Sequence, residues 1–277
     1  MLHKNSCRPR RERPTDSPVK QMQVPYEKPF GEFLRFVHST YPTAPYPEAY
    51  IPFIAHKATA GYAIEKYFPE LVPEFIKRRG EFVYAISEPG WKNSPLNIKS
   101  ELKELADGSY ELYANKAFIL DAESGVFAVR YGKEFALVIV DTDHYRSVRI
   151  PLEMPEATYK VSDTDFVTHY RAEFTVPMSI VPFRAVSKRD ILLLSRTIVF
   201  REQVAYAILA AAEAAKHNDM TAINSRVELL CQRAKEEPGQ DDIAVAREIL
   251  SSAIVRILDN PNAHGFWKWL GRFVKPT

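Results

Sequence analysis

The sequence predicts an α+β fold: N-terminal helices, a central antiparallel β-barrel and a C-terminal helical bundle. Three observations predict it. The apolar period is helical over residues 26–80, switches to short strand-like runs over 81–182, and returns to helical over 183–277. No amphipathic helix separates the strand-like runs, so they are expected to pair antiparallel and not as βαβ units. Residues 1–25 stand apart as a basic arm, because Lys4, Arg8, Arg10, Arg11, Arg13 and Lys20 share it with Pro9, Pro14 and Pro18.

Taken in order, Phe30, Phe33, Leu34 and Val37 make one apolar helix stripe. The segment 40–50 must be a loop, since Pro42, Pro45 and Pro47 exclude a helix interior. Helical spacing resumes with Ile51, Ile54, Ala55, Ala58 and Tyr62, and a short helix covers 70–78. FVYAIS, GVFAVRYG and EFALVIVD are short, rich in β-branched and aromatic residues, and bounded by Gly or acids. Asp107-Gly108 marks a hairpin turn. From 188 a long helix carries two apolar rows, the second through Leu193, Phe200, Val204, Ala207 and Ala211, as expected of a helix covered on two sides. Val227 and Leu230 mark the next helix. Ile243, Ala246, Leu250, Ala253 and Ile257 mark the last, beyond the break at Pro238-Gly239.

Composition narrows the function. The chain has 277 residues, 46% hydrophobic content and a net charge of +2, which excludes a disordered chain and gives no electrostatic case for nucleic acid. No apolar run approaches the ~20 residues that cross a bilayer. Cys7 and Cys231 have neither a CxxC partner nor a metal-like spacing with His, so reduced thiols in a cytoplasmic protein are expected. GxGxxG, GxSxG, P-loop and HExxH motifs are all missing. Asp141, Asp143 and His144 read as a turn, and no metal is expected.

Four segments carry a family resemblance. YFPELVPEFIKRRGEFVYAISEPG (67–90) is similar to the helix-to-barrel junction of the acyl-CoA dehydrogenases, with Tyr67, Pro69, Gly80, Glu81 and the run Ser87-Glu88-Pro89-Gly90 in register. DGSYELYANKAFI (107–119) resembles the family's DGYVLNGEKTWITN hairpin. YRAEFTVP (170–177) looks like the strand that ends its barrel, and Ser195-Arg196 opens a long alanine-rich helix where the family has Gly-Arg. These matches fall in the family's order and span roughly 60–216. They identify the chain as a shortened, divergent member of the acyl-CoA dehydrogenase superfamily.

The resemblance implies a flavoprotein that binds FAD between barrel and bundle and oxidises an acyl-CoA, taking an α proton with a glutamate and passing a β hydride to the flavin. By register it implies FAD contacts from Tyr84, Ile86, Ser87, Phe118 and Leu120, and acyl-CoA contacts from Ser94 and Arg196. A strand simply packed in the barrel is the competing reading of the first three, and a bundle arginine paired with a nearby acid that of Arg196.

The departures point to a weakened or lost activity. Trp91 and Lys92 stand where the family has small residues that let backbone approach a ligand. Leu120 replaces a hydroxyl donor, and Asp121 adds negative charge beside a hydride acceptor. No YEGT-like segment supplies the usual base. Glu213 and Glu248 are the candidates for a displaced one, with ordinary surface pairing as the alternative, so the catalytic residue is unassigned. The second functional reading is therefore a non-catalytic pseudoenzyme. Either way the resemblance implies an oligomer, homomeric or with a full-length relative. The segment 264–275 interleaves Phe266, Trp267, Trp269, Leu270 and Phe273 with Lys268, Arg272 and Lys275. It suits a docked helix or a subunit contact, with a membrane-surface contact as the alternative.

Overall fold

The computed structural model describes residues 23–41, 47–78, 81–90, 94–120, 122–152, 158–160, 166–178, 182–216, 221–233, 239–259 and Trp267. The basic arm before residue 23, Cys7, Trp91, Lys92, Asp121 and the segment 264–275 apart from Trp267 lie outside these residues.

Helix α1 (Phe30–Thr40) buries the expected stripe of Phe30, Phe33, Leu34 and Val37. Pro47–Tyr50 forms a 3₁₀ turn where a loop was expected, because proline suits the first turn of a helix even as it breaks an interior. It leads into α2 (Ile51–Ile54), a π-helical stretch Ala55–Gly61, α3 (Tyr62–Tyr67) and, after a 3₁₀ turn at Pro69–Leu71, α4 (Val72–Lys77).

The strands are β1 (Phe82–Ala85), β2 (Glu101–Glu104), β3 (Tyr110–Leu120), β4 (Ser124–Tyr131), β5 (Glu134–Asp141), β6 (Ile150–Pro151), β7 (Thr158–Lys160), β8 (Phe166–Met178) and β9 (Phe183–Val186). The hydrogen-bonded path runs β6-β8-β3-β2-β4-β5-β9, with β1 on β4 and β7 on β8. Asp107-Gly108 turns β2 into β3: Gly108 takes φ 80°, and the Asp107 carboxylate accepts from the Ser109 amide (3.0 Å) and hydroxyl (2.6 Å). Gly132, at φ 59°, turns β4 into β5.

Most pairings are antiparallel as expected. Two are not: β1 runs parallel to β4, and β2 meets β4 in parallel at Glu101–Arg130. The β2–β3 hairpin supplies the crossover, so parallel neighbours arise here without a βαβ helix.

The outer face of β1, β4 and β5 packs on the helices through Phe82, Val126, Ala128, Phe135 and Leu137. The inner face closes a second core with Val83, Ala85, Phe127, Val129, Val138, Leu112, Ala172 and Phe174. The alternation along each strand is what separates the two cores.

Helix α5 (Lys188–Ala215) is N-capped by Ser187, whose hydroxyl accepts from the Asp190 amide at 3.1 Å. Its alanine-rich half, Ala207 through Ala212, is buried all round. Its first half is covered less than the two-row pattern suggests, since Leu192, Leu193 and Val199 stay exposed. Helices α6 (Thr221–Arg233) and α7 (Gln240–Leu258) bury Val227 and Leu230, and Ile243, Ala246, Leu250, Ala253 and Ile257, against it. Trp267 is fully buried in the same core, which accords with docking and takes its ring out of any membrane-surface contact. No described helix is long and apolar enough to cross a membrane.

Candidate functional site

The site is built where the chain leaves β1. Side chains alternate there, so Val83 and Ala85 enter the barrel while Tyr84 and Ile86 lie half-buried against the helical core. Ser87 follows, also half-buried. Its carbonyl accepts a 2.9 Å hydrogen bond from the Ala117 amide, which sets the end of β1 beside the end of the β2–β3 hairpin.

At that point β3 departs from regular pairing. Its register with β8 shifts between Lys116 and Ile119, and Phe118 adopts φ 58°. Left-handed backbone is costly for a bulky side chain, and it persists only where surrounding contacts impose it. The bulge turns the Phe118 ring outward to 52% exposure, edge-on to His169 with centroids 6.2 Å apart. Leu120, set beside the flavin by the resemblance, is 5% exposed and packs in the same barrel-interior core as Leu112 and Ala114.

Beneath Ser87 and Phe118 lies a buried ion pair. Lys116 Nζ sits 3.0 Å from Glu88 Oε1, with the two side chains 0% and 6% exposed. The ammonium also donates to the carbonyl of Ala128 at 2.6 Å. Glu88 accepts from the Lys99 amide (2.8 Å), the Ser100 amide (2.9 Å) and the Ser100 hydroxyl (2.6 Å). Burial pushes the Lys116 pKa down to about 8, against the attraction of Glu88. Burial alone would raise the Glu88 carboxyl, but Lys116 and the Ser100 and Lys99 donors outweigh it and hold the carboxyl below its ordinary value.

The opposite wall is the first half of α5. The Tyr84 hydroxyl is buried with no hydrogen-bond partner among the described residues. It lies close enough to Ser195 to feel its hydroxyl, yet Ser195 Oγ spends its proton on the Ile191 carbonyl at 2.8 Å. Burial drives the Tyr84 phenol above its ordinary range, Ser195 opposes this, and Tyr67 adds to it. Arg196, one residue on, is exposed and stacks over Phe200 at 5.0 Å from the ring centre, with no acid paired to it among the described residues. Ser94 is half-buried and starts the Pro95–Asn97 turn, its hydroxyl accepting from the Leu96 amide at 3.4 Å. Tyr84 and Ile86 thus meet the helical core with Ser195 beside Tyr84, the Ser87–Ala117 bond sets Ser87 next to the Phe118 bulge, and Leu120 lies in the barrel core.

The two displaced-base candidates are both engaged. Glu213 accepts from Tyr41 (2.7 Å) and pairs with Lys216 (3.1 Å), and Glu248 pairs with Arg226. A third carboxyl, Glu202, is one the sequence does not single out; it follows Arg201 on α5. Adjacent helix residues point about 100° apart. Arg201 accordingly turns inward, over Phe30 (3.9 Å) and Tyr62 (4.8 Å), and donates to the Ala58 carbonyl at 3.2 Å. Glu202 is left half-buried, with no hydrogen bond or ion pair among the described residues, and burial raises its pKa to about 7. Its position two turns beyond Ser195 on the same face was the available signal.

Asp141 accepts from the Ser124 hydroxyl (2.7 Å) and Asp143 pairs with Arg146 (3.1 Å), so that cluster is a stapled turn.

No family model and no curated protein matches the sequence. Solved structures do match in fold. A glutaryl-CoA dehydrogenase from Mycobacterium smegmatis in complex with FADH2 aligns at TM-score 0.51 and 12% identity, over 74% of this chain and 62% of its own. A glutaryl-CoA dehydrogenase in complex with glutaryl-CoA aligns at 0.59 and 12%, over 82% and 67%. The butyryl-CoA dehydrogenase of Megasphaera elsdenii aligns at 0.56 and 13%, over 83% and 71%. The chain therefore spans less than two thirds of the first of these proteins. At such identities the likeness establishes architecture alone, and the architecture is that of the acyl-CoA dehydrogenases: this chain has their fold, in divergent form.

Proposed function

We propose that this protein binds FAD between the end of β1, the Phe118 bulge and the first half of α5, and that it oxidises an acyl-CoA at a CH–CH bond. One observation carries the reading: Tyr84, at the barrel–bundle boundary, holds a buried hydroxyl with no hydrogen-bond partner among the described residues. A native protein rarely leaves such a group unsatisfied, and a ligand edge with a hydrogen-bonding atom would satisfy it. The surrounding groups fit a flavin. Ile86 and the exposed Phe118 ring offer apolar surface, and the Ser87 hydroxyl is half-buried beside them. When bound, FAD would supply the hydride acceptor. The chain's own residues would bind and orient it, and the exposed Arg196 guanidinium would face an anionic acyl-CoA.

The experiment is a visible spectrum of the full chain with and without added FAD, followed by acyl-CoA. A bound yellow chromophore that bleaches with acyl-CoA supports the proposal. A colourless protein that takes up no added FAD refutes it.

A non-catalytic partner subunit is the second reading. What favours it is the exposed row of Leu192, Leu193 and Val199 on the half of α5 that borders the site. Recovery of the chain in a stable complex with a full-length flavoprotein, with no colour of its own, would support this reading over the first.

A further inference from the structure

We propose that the buried Glu88–Lys116 pair is a positioning latch: it sets Ser87 against the Phe118 bulge, and so shapes the candidate site without touching anything bound there. Each latch residue lies within two positions of a site residue, Glu88 directly after Ser87 and Lys116 two before Phe118. Together they tie four stretches of chain. Lys116 on β3 reaches the Ala128 carbonyl on β4 (2.6 Å) and the Ile86 carbonyl (3.5 Å) as well as Glu88. Glu88 holds the backbone of Lys99 and Ser100. The Ser100 hydroxyl then donates to Glu88 (2.6 Å) and accepts from the Asn115 amide (3.0 Å), while the Ser100 carbonyl accepts from the Arg130 amide (2.8 Å). The closing bond of this ring is Ala117 N–H to Ser87 C=O at 2.9 Å.

The network explains why β3 bulges where it does. Lys116 is fully buried and its ammonium can be satisfied only by turning toward Glu88 and Ala128. The next residues must then reverse their facing, and Phe118 takes up the left-handed backbone that lets the ring point out. Removing one charge strands the other in a dry interior, so the latch should open locally before the fold does.

Hydrogen exchange on the full chain tests this through the Ala117 amide, with the Ala210 amide in the core of α5 as reference. Lys116→Met is expected to speed exchange at Ala117 by about a hundredfold beyond any change at Ala210, the scale of a broken buried pair. Glu88→Gln should act in the same direction. Ser100→Ala keeps both charges and removes one bridging hydroxyl, so it should speed Ala117 by about tenfold with the fold intact. The proposal is overturned if Ala117 and Ala210 move together in these variants, or if Ser100→Ala leaves Ala117 unchanged where Lys116→Met does not fold. Only the latch's effect on binding rests on the flavin proposal above. Failure of the wild-type chain to take up FAD would remove that proposal, whereas exchange at Ala117 judges the latch by itself.

Discussion

The guanidinium of Arg201 lies 3.9 Å from the ring centre of Phe30 and is 3% exposed, with its Nε on the Ala58 carbonyl at 3.2 Å and an NH2 reaching the Lys57 carbonyl at 3.4 Å. Through this one side chain, α5 is joined to α1 and to the π-helical stretch. A lysine there has no planar guanidinium to lie flat between Phe30 and Tyr62 while its fixed fork reaches both carbonyls. Arg201→Lys is expected to destabilise the protein by about 2–3 kcal/mol, read as a lower urea midpoint with an unchanged slope.

Tyr84→Phe separates a structural hydroxyl from a ligand-binding one. The hydroxyl is buried with no hydrogen-bond partner among the described residues, so its removal should leave stability unchanged or raise it by up to about 1–2 kcal/mol. FAD affinity should fall by about tenfold, the value of one hydrogen bond. Thermal unfolding and FAD titration of the same variant read the two effects.

Lys116 makes stability depend on pH in a direction opposite to a surface lysine. Its folded pKa is about 8 and its unfolded value is the ordinary 10.5. Between these values the unfolded chain binds a proton that the folded chain does not, so stability from this group rises with pH across that window. Urea unfolding from pH 7 to 10 should show a slope in the wild type that Lys116→Met lacks.

Glu202 acts on the acid side. Burial raises its pKa to about 7 from 4.5, so the folded chain holds the proton between these values and the unfolded chain does not. Stability from Glu202 is therefore highest below pH 4.5 and declines as pH rises toward 7. Glu202→Gln should flatten that decline in an unfolding series, and an unaltered pH profile would exclude the titration.

The architecture was readable in the sequence because it rests on local periods. The Phe30–Val37 stripe, the Asp107-Gly108 turn and the apolar row of α7 each declare themselves within a few turns or strands. The side-by-side placement of Ser87 and Ala117 was readable only through family resemblance, since a bond between distant positions leaves no local pattern. What stayed hidden did so for physical reasons. Leu120 was placed by family register, and the one-residue shift between Lys116 and Ile119, which sets the facing of Phe118, has no Gly or Pro to announce it. Arg201 and Glu202 are charged and adjacent, yet helix geometry sends Arg201 inward and leaves Glu202 without a partner among the described residues. Parallel pairing of β1 with β4 depends on the order of strands in space, which propensity does not encode.

The π-helical stretch Ala55–Gly61 has an evolutionary corollary. Such a stretch is what remains when one residue is inserted into an α-helix, and it turns everything downstream by about 100° about the axis. Tyr62 reaches Arg201 only in that rotated phase. Point changes within 55–61 keep that phase and are felt through local contacts, as at buried Lys57, whose ammonium donates to the Tyr26 carbonyl (2.7 Å) and pairs with Glu65 (2.7 Å). Loss of a single codon, by contrast, would restore a straight helix and swing Tyr62, Ile64 and Glu65 off their partners together.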